Sequence, residues 1–222
     1  MSCVKVQAGQ ENLSPLFLDG LIIWWDAERL TSTGNFLNKA WSVGAGQNGI
    51  NANVTFVPGV ANGHTVARYN GINSVTTTTL FGPSPTFSCF IVSKLAAAGG
   101  VYIGFCDAAA TNQMVVSNAG ENFGCFDTIV HPTSGLIDNH TAFSFIGVVS
   151  AGGTCIFYQN GTIVPPAAGG VLSAMNNIVT FGGVIGVFSA FDVAEVLVYA
   201  GVALTGTRLT QVFQYLKGKY NL

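Results

Sequence analysis

The run Cys155-Ile-Phe-Tyr-Gln-Asn160-Gly161-Thr162-Ile-Val164 decides the class of fold. A β-branched and aromatic stretch stops at Asn-Gly and resumes at Thr-Ile-Val, and Asn-Gly is the pair that best tolerates the two positive φ angles of a type I′ turn. The run therefore reads as a hairpin of two antiparallel strands. On both sides of it the same alternation recurs, short apolar runs closed by clusters of Gly, Asn or Pro. It predicts strands at 21–27, 65–69, 75–79, 86–94, 101–106, 113–117, 143–150, 155–159, 178–181 and 193–199, at least ten in all. One segment near the end breaks the pattern. Leu209, Val212, Phe213 and Leu216 fall at i, i+3, i+4 and i+7, the stripe of an amphipathic helix. Thr205 or Thr207 is placed to cap its start, and Lys217 and Lys219 suit its negative C-terminal end.

Composition supports one folded β domain. The 222 residues hold 8 basic and 10 acidic side chains, net charge -2, while 49% of residues are hydrophobic and 8% charged. That excludes a disordered chain, and it leaves no polybasic surface to bind nucleic acid by counterion release. From Asn139 to Phe191 no charged side chain occurs, yet Gln159-Asn160-Gly161, Pro165-Pro166 and Gly169-Gly170 interrupt the stretch. A bilayer crossing needs roughly 20 continuous apolar residues, so no membrane span is expected. The segment from Met1 to Gln10 lacks the apolar core of a secretory signal, which implies a mature product or export by another route. The cysteines, Cys3, Cys89, Cys106, Cys125 and Cys155, are odd in number and contain no C-x-x-C pair, so thiolate metal binding is not expected. Cys89 and Cys155, inside strand-like runs, read as small reduced core residues. Residues 1–18 mix Val4, Val6, Leu13, Leu16, Phe17 and Leu18 with polar residues without clean periodicity. They form an arm, a docking segment or edge strand, ahead of a single domain at 19–222.

The order of motifs resembles the laminin-G-like, concanavalin A-like lectin/glucanase superfamily, in its non-catalytic branch. Gly20-Leu-Ile-Ile-Trp-Trp-Asp-Ala27 is similar to the family's opening strand, and Ala67-Arg-Tyr-Asn-Gly-Ile-Asn-Ser74 to its short strand followed by a Gly turn. Thr86-Phe-Ser-Cys-Phe-Ile-Val-Ser93 fits the central strand, and the Tyr-x-Asn-Gly turn closes the paired strands. Ala194-Glu-Val-Leu-Val-Tyr199, followed by Leu204-Thr205 and Tyr215-Leu216-x-x-Lys219-Tyr220, resembles the ending, with Glu195 where the family places an acidic residue. The resemblance implies an all-β, concanavalin A-like jelly-roll sandwich of two antiparallel sheets with one short C-terminal helix. Phe87, Ile91, Val148, Phe157, Leu197 and Tyr199 are expected in its core.

The superfamily contains enzymes and binders, so chemistry must be sought residue by residue. Glucanase relatives carry Glu-x-Asp-x-x-Glu, because retaining hydrolysis needs an acid and a nucleophile roughly 5 Å apart. This sequence has no such triplet. Asp26 and Glu28 share a face of a strand, and the segment from Asp26 to Arg29 reads as a strand end at the surface. Asp192 and Glu195, three apart, fall on opposite faces of a regular strand. His64, His131 and His140 fall in expected loops, and no Ser sits in a nucleophile elbow. No catalytic residue and no metal ligand is therefore assigned, and the protein is expected not to be an enzyme.

For ligands, Trp24, Trp25 and Trp41 are the platforms on which a sugar ring can stack. Trp24 and Trp25 point to opposite faces, so one of them belongs to the core, and Trp41, among Asn and Gly in an expected loop, is the ligand-binding candidate. No cofactor is expected; calcium is the one ion that the resemblance brings into consideration, with oxygen ligands from Asp107, Asp127 and Asp138 in loops. The expectation is a non-catalytic lectin-like structural or adhesion protein on a particle surface, a phage or virus capsid decoration or fibre protein. A free carbohydrate-binding protein of a secreted bacterial system is the alternative, and a glycan hydrolase a third reading. Expected partners are other virion or coat subunits and a cell-surface glycan, in a homo-oligomer or larger assembly at a virion surface or outside the cell.

Overall fold

The computed structural model describes residues 15, 18–40, 48–82, 84–96, 102–107, 112–117, 124–127, 130–132, 141–165, 178–184, 187–188 and 190–222. In chain order the strands are β1 (Leu21–Leu30), β2 (Phe36–Asn38), β3 (Ile50–Ala52), β4 (Thr55–Gly59), β5 (Gly63–Asn70) and β6 (Val75–Phe81). Then come β7 (Phe87–Leu95), β8 (Tyr102–Asp107), β9 (Asn112–Ser117), β10 (Gly124–Asp127), β11 (Val130–Pro132) and β12 (Ser144–Ala151). The last are β13 (Thr154–Gln159), β14 (Thr162–Val164), β15 (Ile178–Phe181), β16 (Gly183–Val184), β17 (Val187–Phe188) and β18 (Ala190–Ala200), before helix α1 (Gly206–Tyr220).

The quoted hairpin forms as read. Asn160 and Gly161 take φ of 49° and 80°, and β13 pairs with β14 from Gln159 opposite Thr162 to Phe157 opposite Val164. One sheet runs β14-β13-β12-β7-β18-β1-β2, with β5 also pairing β18 and carrying β4 at its far side; the facing sheet runs β11-β10-β9-β8-β15-β6-β3. All pairings are antiparallel. This is the expected jelly-roll sandwich with one C-terminal helix.

Between the sheets lies an aromatic core. Trp25 stacks on Phe36 with ring centroids 5.5 Å apart and meets Phe105 and Phe181 of the facing sheet at 5.6 and 6.2 Å. Tyr69 stacks on Phe191 at 4.4 Å, and its hydroxyl shares a hydrogen bond of 2.5 Å with Thr76. All six expected core residues are buried, but Leu197 and Tyr199 belong to a second core on the opposite face of their sheet. Cys89 is buried, and desolvation raises its thiol pKa to about 12; Cys155 is half-buried beside the first core.

The second core is the contribution of α1. Val212, Leu216 and Tyr220 are buried against the outer face of the first sheet, and Phe213 packs its ring on Phe145 and Tyr158 at 5.2 Å each. Antiparallel sheets commonly leave one face in water, which gives strict alternation in sequence. Here the helix covers that face, so β7 is buried at eight of nine positions. Thr205 stands at the N-cap but makes no side-chain cap bond, while Lys217 and Lys219 do occupy the last turn.

Several sequence expectations need correction. Trp24 and Trp25 are both core residues, Trp24 under the helix and Trp25 between the sheets. His64 and His131 lie on strands β5 and β11 rather than in loops, and Asp107 and Asp127 end β8 and β10. Of the arm at 1–18 only Pro15 and Leu18 are described, with Leu18 buried in the helix-side core. Trp41, His140 and Asp138 lie outside the described residues.

Phe157 is 1% exposed and sits in the inter-sheet core, so Phe157→Ala removes a large apolar group from a site whose neighbours belong to two sheets. The expected loss is about 3–5 kcal/mol in denaturant unfolding. A loss under about 1 kcal/mol, the size of an ordinary surface change, would show that this core closes without the ring.

Candidate functional site

The outer face of the first sheet carries the charged side chains that the sequence singles out. Asp26 on β1 stands directly opposite Glu195 on β18. Both are buried, at 3% and 1% exposure, which overturns the expected surface position of Asp26, whereas Glu28 and Arg29, the rest of that segment, are exposed and β1 continues to Leu30. Like charges opposed across a ladder repel, and burial adds several kcal/mol per ion. The helix resolves the conflict. Lys219 places its Nζ 2.9 Å from Asp26 Oδ2 and 2.9 Å from Glu195 Oε2, and Lys39 reaches Asp26 Oδ2 at 3.4 Å. Lys39 also lies 3.7 Å from the centre of the Trp24 ring, a cation–π contact.

Glu195 is saturated. Tyr215 and Tyr220 donate hydroxyl hydrogen bonds of 2.8 and 2.9 Å to its two oxygens, and Trp24 Nε1 donates a further bond to Oε1. Asp26 Oδ1 accepts the backbone N–H of Glu28 at 3.0 Å. Burial pushes the Asp26 pKa up, but Lys219, the Glu28 amide and Lys39 outweigh it and leave the value below the usual 3.8. Burial likewise pulls Lys219 down, while Glu195 and Asp26 outweigh it and hold the ammonium above 10.5. The tyrosine hydroxyls of 215 and 220 are raised by burial and then by Glu195. A general acid in glycoside cleavage needs a carboxyl shifted upward and a path to substrate. Asp26 is shifted the other way, and two carboxylates with two ammonium groups form a closed, neutral knot.

The remaining carboxylates separate. Glu28 is exposed and meets His64 Nδ1 at 3.0 Å, while the His64 ring lies edge-on to Tyr220 at 5.0 Å. Asp192 and Glu195 share the outer face instead of lying on opposite faces. Val193 pairs with Ser93 and Glu195 with the next residue back, Val92, so Ala194 is an extra bulged residue that restores Glu195 to the side of Asp192. The bulge sits where the partner of β18 changes from β5 to β1. Sequence reading missed the role of Lys219 and of the two tyrosines. Their signal was present: Lys219 lies three residues after Leu216 and seven after Val212, on the buried stripe of a helix, opposite an acidic residue inside an apolar strand.

Beyond the knot the same face opens into a cleft of about 790 Å³. Its floor is a row across three strands, Arg68 on β5, Asp192 on β18 and Lys94 on β7. Phe143, just before β12, continues the row beside Lys94. Asn62 in the β4–β5 turn and Asn160 in the quoted hairpin stand on its rim. Asn62 Nδ2 donates to the carbonyl of Tyr220, joining the turn to the end of the helix. Among the described residues no three His, Cys, Asp or Glu side chains converge as a metal site, and His64 and His131 are in different sheets.

No protein-family model and no curated protein matches the chain, but solved structures do. Domain 4 of AbnA, an extracellular GH43 arabinanase of Geobacillus stearothermophilus solved with arabinotriose, is 14% identical, with 88% of this chain and 97% of that domain covered and a TM-score of 0.65. The sialidase of Trypanosoma rangeli is 12% identical with a TM-score of 0.58; the match covers 90% of this chain but 33% of the sialidase, so the chain spans about a third of that protein. The likeness is one of fold. It agrees with the two antiparallel sheets of the sandwich described above.

The sign of each shift in the knot sets how stability follows pH. Asp26, lowered in the fold, contributes fully above 3.8 and loses its contribution as pH falls through the folded value. Lys219, raised in the fold, contributes fully below 10.5 and loses it as pH rises through the folded value. Urea unfolding should therefore show a plateau between those limits, and Asp26→Asn should flatten the acid limb. Lys219→Met, which leaves two opposed buried carboxylates, should cost about 3–5 kcal/mol at neutral pH. A variant with unchanged stability would mean that water, not the helix, compensates the pair.

Proposed function

We propose that this chain is a non-catalytic carbohydrate-binding module of laminin-G-like type that serves as an adhesin on a particle surface. One observation carries the reading. The carboxylates that hydrolysis would need are locked under α1, whereas the neighbouring cleft offers an aromatic edge, amides and a cationic floor. Those are groups that hold a saccharide, stacking on its apolar face and bonding its hydroxyls, without reacting with it. A fold neighbour solved with arabinotriose supports the compatibility of this sandwich with a sugar ligand. A surface of few charges, 8 basic and 10 acidic in 222 residues, supports a role in a packed assembly, and a virus or phage coat is the setting proposed.

The purified chain applied to a glycan array should retain saccharides, and prolonged incubation with the retained glycan should release no reducing ends. Phe143→Ala should weaken retention by about tenfold or more, with the unfolding midpoint checked alongside because Phe143 also touches the helix-side core. Absence of any glycan binding overturns the reading of the cleft. Turnover that disappears in Asp26→Asn or Glu195→Gln overturns the non-catalytic assignment.

A further inference from the structure

We infer that the cleft is built for an anionic glycan, a sugar bearing one carboxylate, and that Lys94 is the residue that holds this carboxylate. The inference rests on the saccharide reading of the cleft and adds the ligand's charge. Within the floor row the three charges are not equivalent. Arg68 donates from Nε to Asp192 Oδ1 and from Nη2 to Oδ2, each at 2.8 Å, a bidentate pair that uses both carboxylate oxygens. Asp192 is thereby neutralised. Lys94, its register partner on the other side, makes no ion pair or hydrogen bond among the described residues. The row therefore carries one uncompensated positive charge, half-buried on the floor of the cleft.

A partly desolvated cation gains most from an anion that enters its cleft, because Coulomb attraction rises as water is displaced. One free ammonium matches one negative charge; a dianionic phosphate would face Asp192 with its arginine already engaged. The surroundings choose a sugar acid over a simple acid. Asn62 and Asn160 each spend one end of the amide on the fold, Asn62 Nδ2 on the Tyr220 carbonyl and Asn160 Oδ1 on the Phe145 N–H at 2.9 Å. The Oδ1 of Asn62 and the Nδ2 of Asn160 are then an acceptor and a donor of fixed sense on the rim, suited to hydroxyls. Phe143 beside Lys94 supplies an apolar edge for a pyranose face. A volume of about 790 Å³ lies within the roughly 300–1,000 Å³ of ligand clefts and leaves room for more than one sugar ring.

The test is titration calorimetry of the full chain with hexuronate and sialate oligosaccharides, the methyl esters of the same compounds, and a sulfated neutral oligosaccharide. The expected result is that at least one free acid binds about tenfold or more tightly than its ester at low salt, with the gap shrinking as salt screens the charge. Lys94→Gln should bring the affinity for the acid down to that for its ester, in a chain whose unfolding midpoint is no lower than that of the parent, and Lys94→Arg should restore part of the preference. If acids and esters bind alike, or if Lys94→Gln keeps the preference, the anion inference fails while the saccharide cleft stands. Tighter binding of the sulfated sugar than of every acid overturns the carboxylate assignment. If no saccharide binds at all, the inference falls together with the reading on which it rests.

Discussion

Lys219 between Asp26 and Glu195 is the contact on which the rest of this fold depends. Two carboxylates in register on adjacent strands would repel even in water, and both are buried here. A cation must arrive from outside the sheet, and α1 delivers it at 2.9 Å from each. Because the ammonium sits near the end of the helix, that single requirement fixes where the last turn lies on the sheet. Val212, Leu216 and Phe213 then fall over Phe90, Phe145 and Tyr158. A buried ion pair adds little net stability over an apolar replacement, but loss of one partner is costly. Its role here is to specify register: other helix positions would leave the carboxylates alone.

The same contact shapes the cleft. Tyr220, one residue after Lys219, gives its hydroxyl to Glu195 and its carbonyl to Asn62. The helix end is thus tied at once to the floor of the sheet and to the β4–β5 turn, and the turn becomes one wall of the opening. The bulge at Ala194 completes the arrangement. In an unbulged strand Glu195 would turn to the side of Val193, between the sheets, and Leu197 and Tyr199 would turn in with it while Val196 and Val198 moved outward.

Much of this architecture was legible in the sequence where local chemistry decides. Asn160-Gly161 could only be a tight hairpin turn, and the 209–216 stripe could only be a helix with one apolar face. Short elements escaped notice because three residues such as Phe36–Asn38 or Ile50–Ala52 carry no period. Asp26 misled for a deeper reason. Charge in a strand reads as solvent exposure unless its counter-ion is known, and Lys219 is 24 residues from Glu195 and 193 from Asp26 along the chain. His64 was placed in a loop because Asn62-Gly63 precedes it, yet that pair makes a turn so tight that the strand begins at Gly63 itself.

The two charged groups of the outer face show how folding and binding divide the available charge. In the knot the sum is zero, since Asp26 and Glu195 face Lys219 and Lys39, and every partner is internal. In the floor row the sum is positive, because Arg68 and Asp192 cancel and Lys94 is left over. Folding alone would gain by supplying a counter-charge or by replacing Lys94 with a neutral residue, since an unpaired cation that is half withdrawn from water is a cost. The chain, which carries few charges anywhere, keeps this one in its open cleft. A charge with no counter-charge among the described residues is where an outside partner of opposite sign has the most to gain, and the proposed ligand is therefore assigned to the row rather than to the carboxylates.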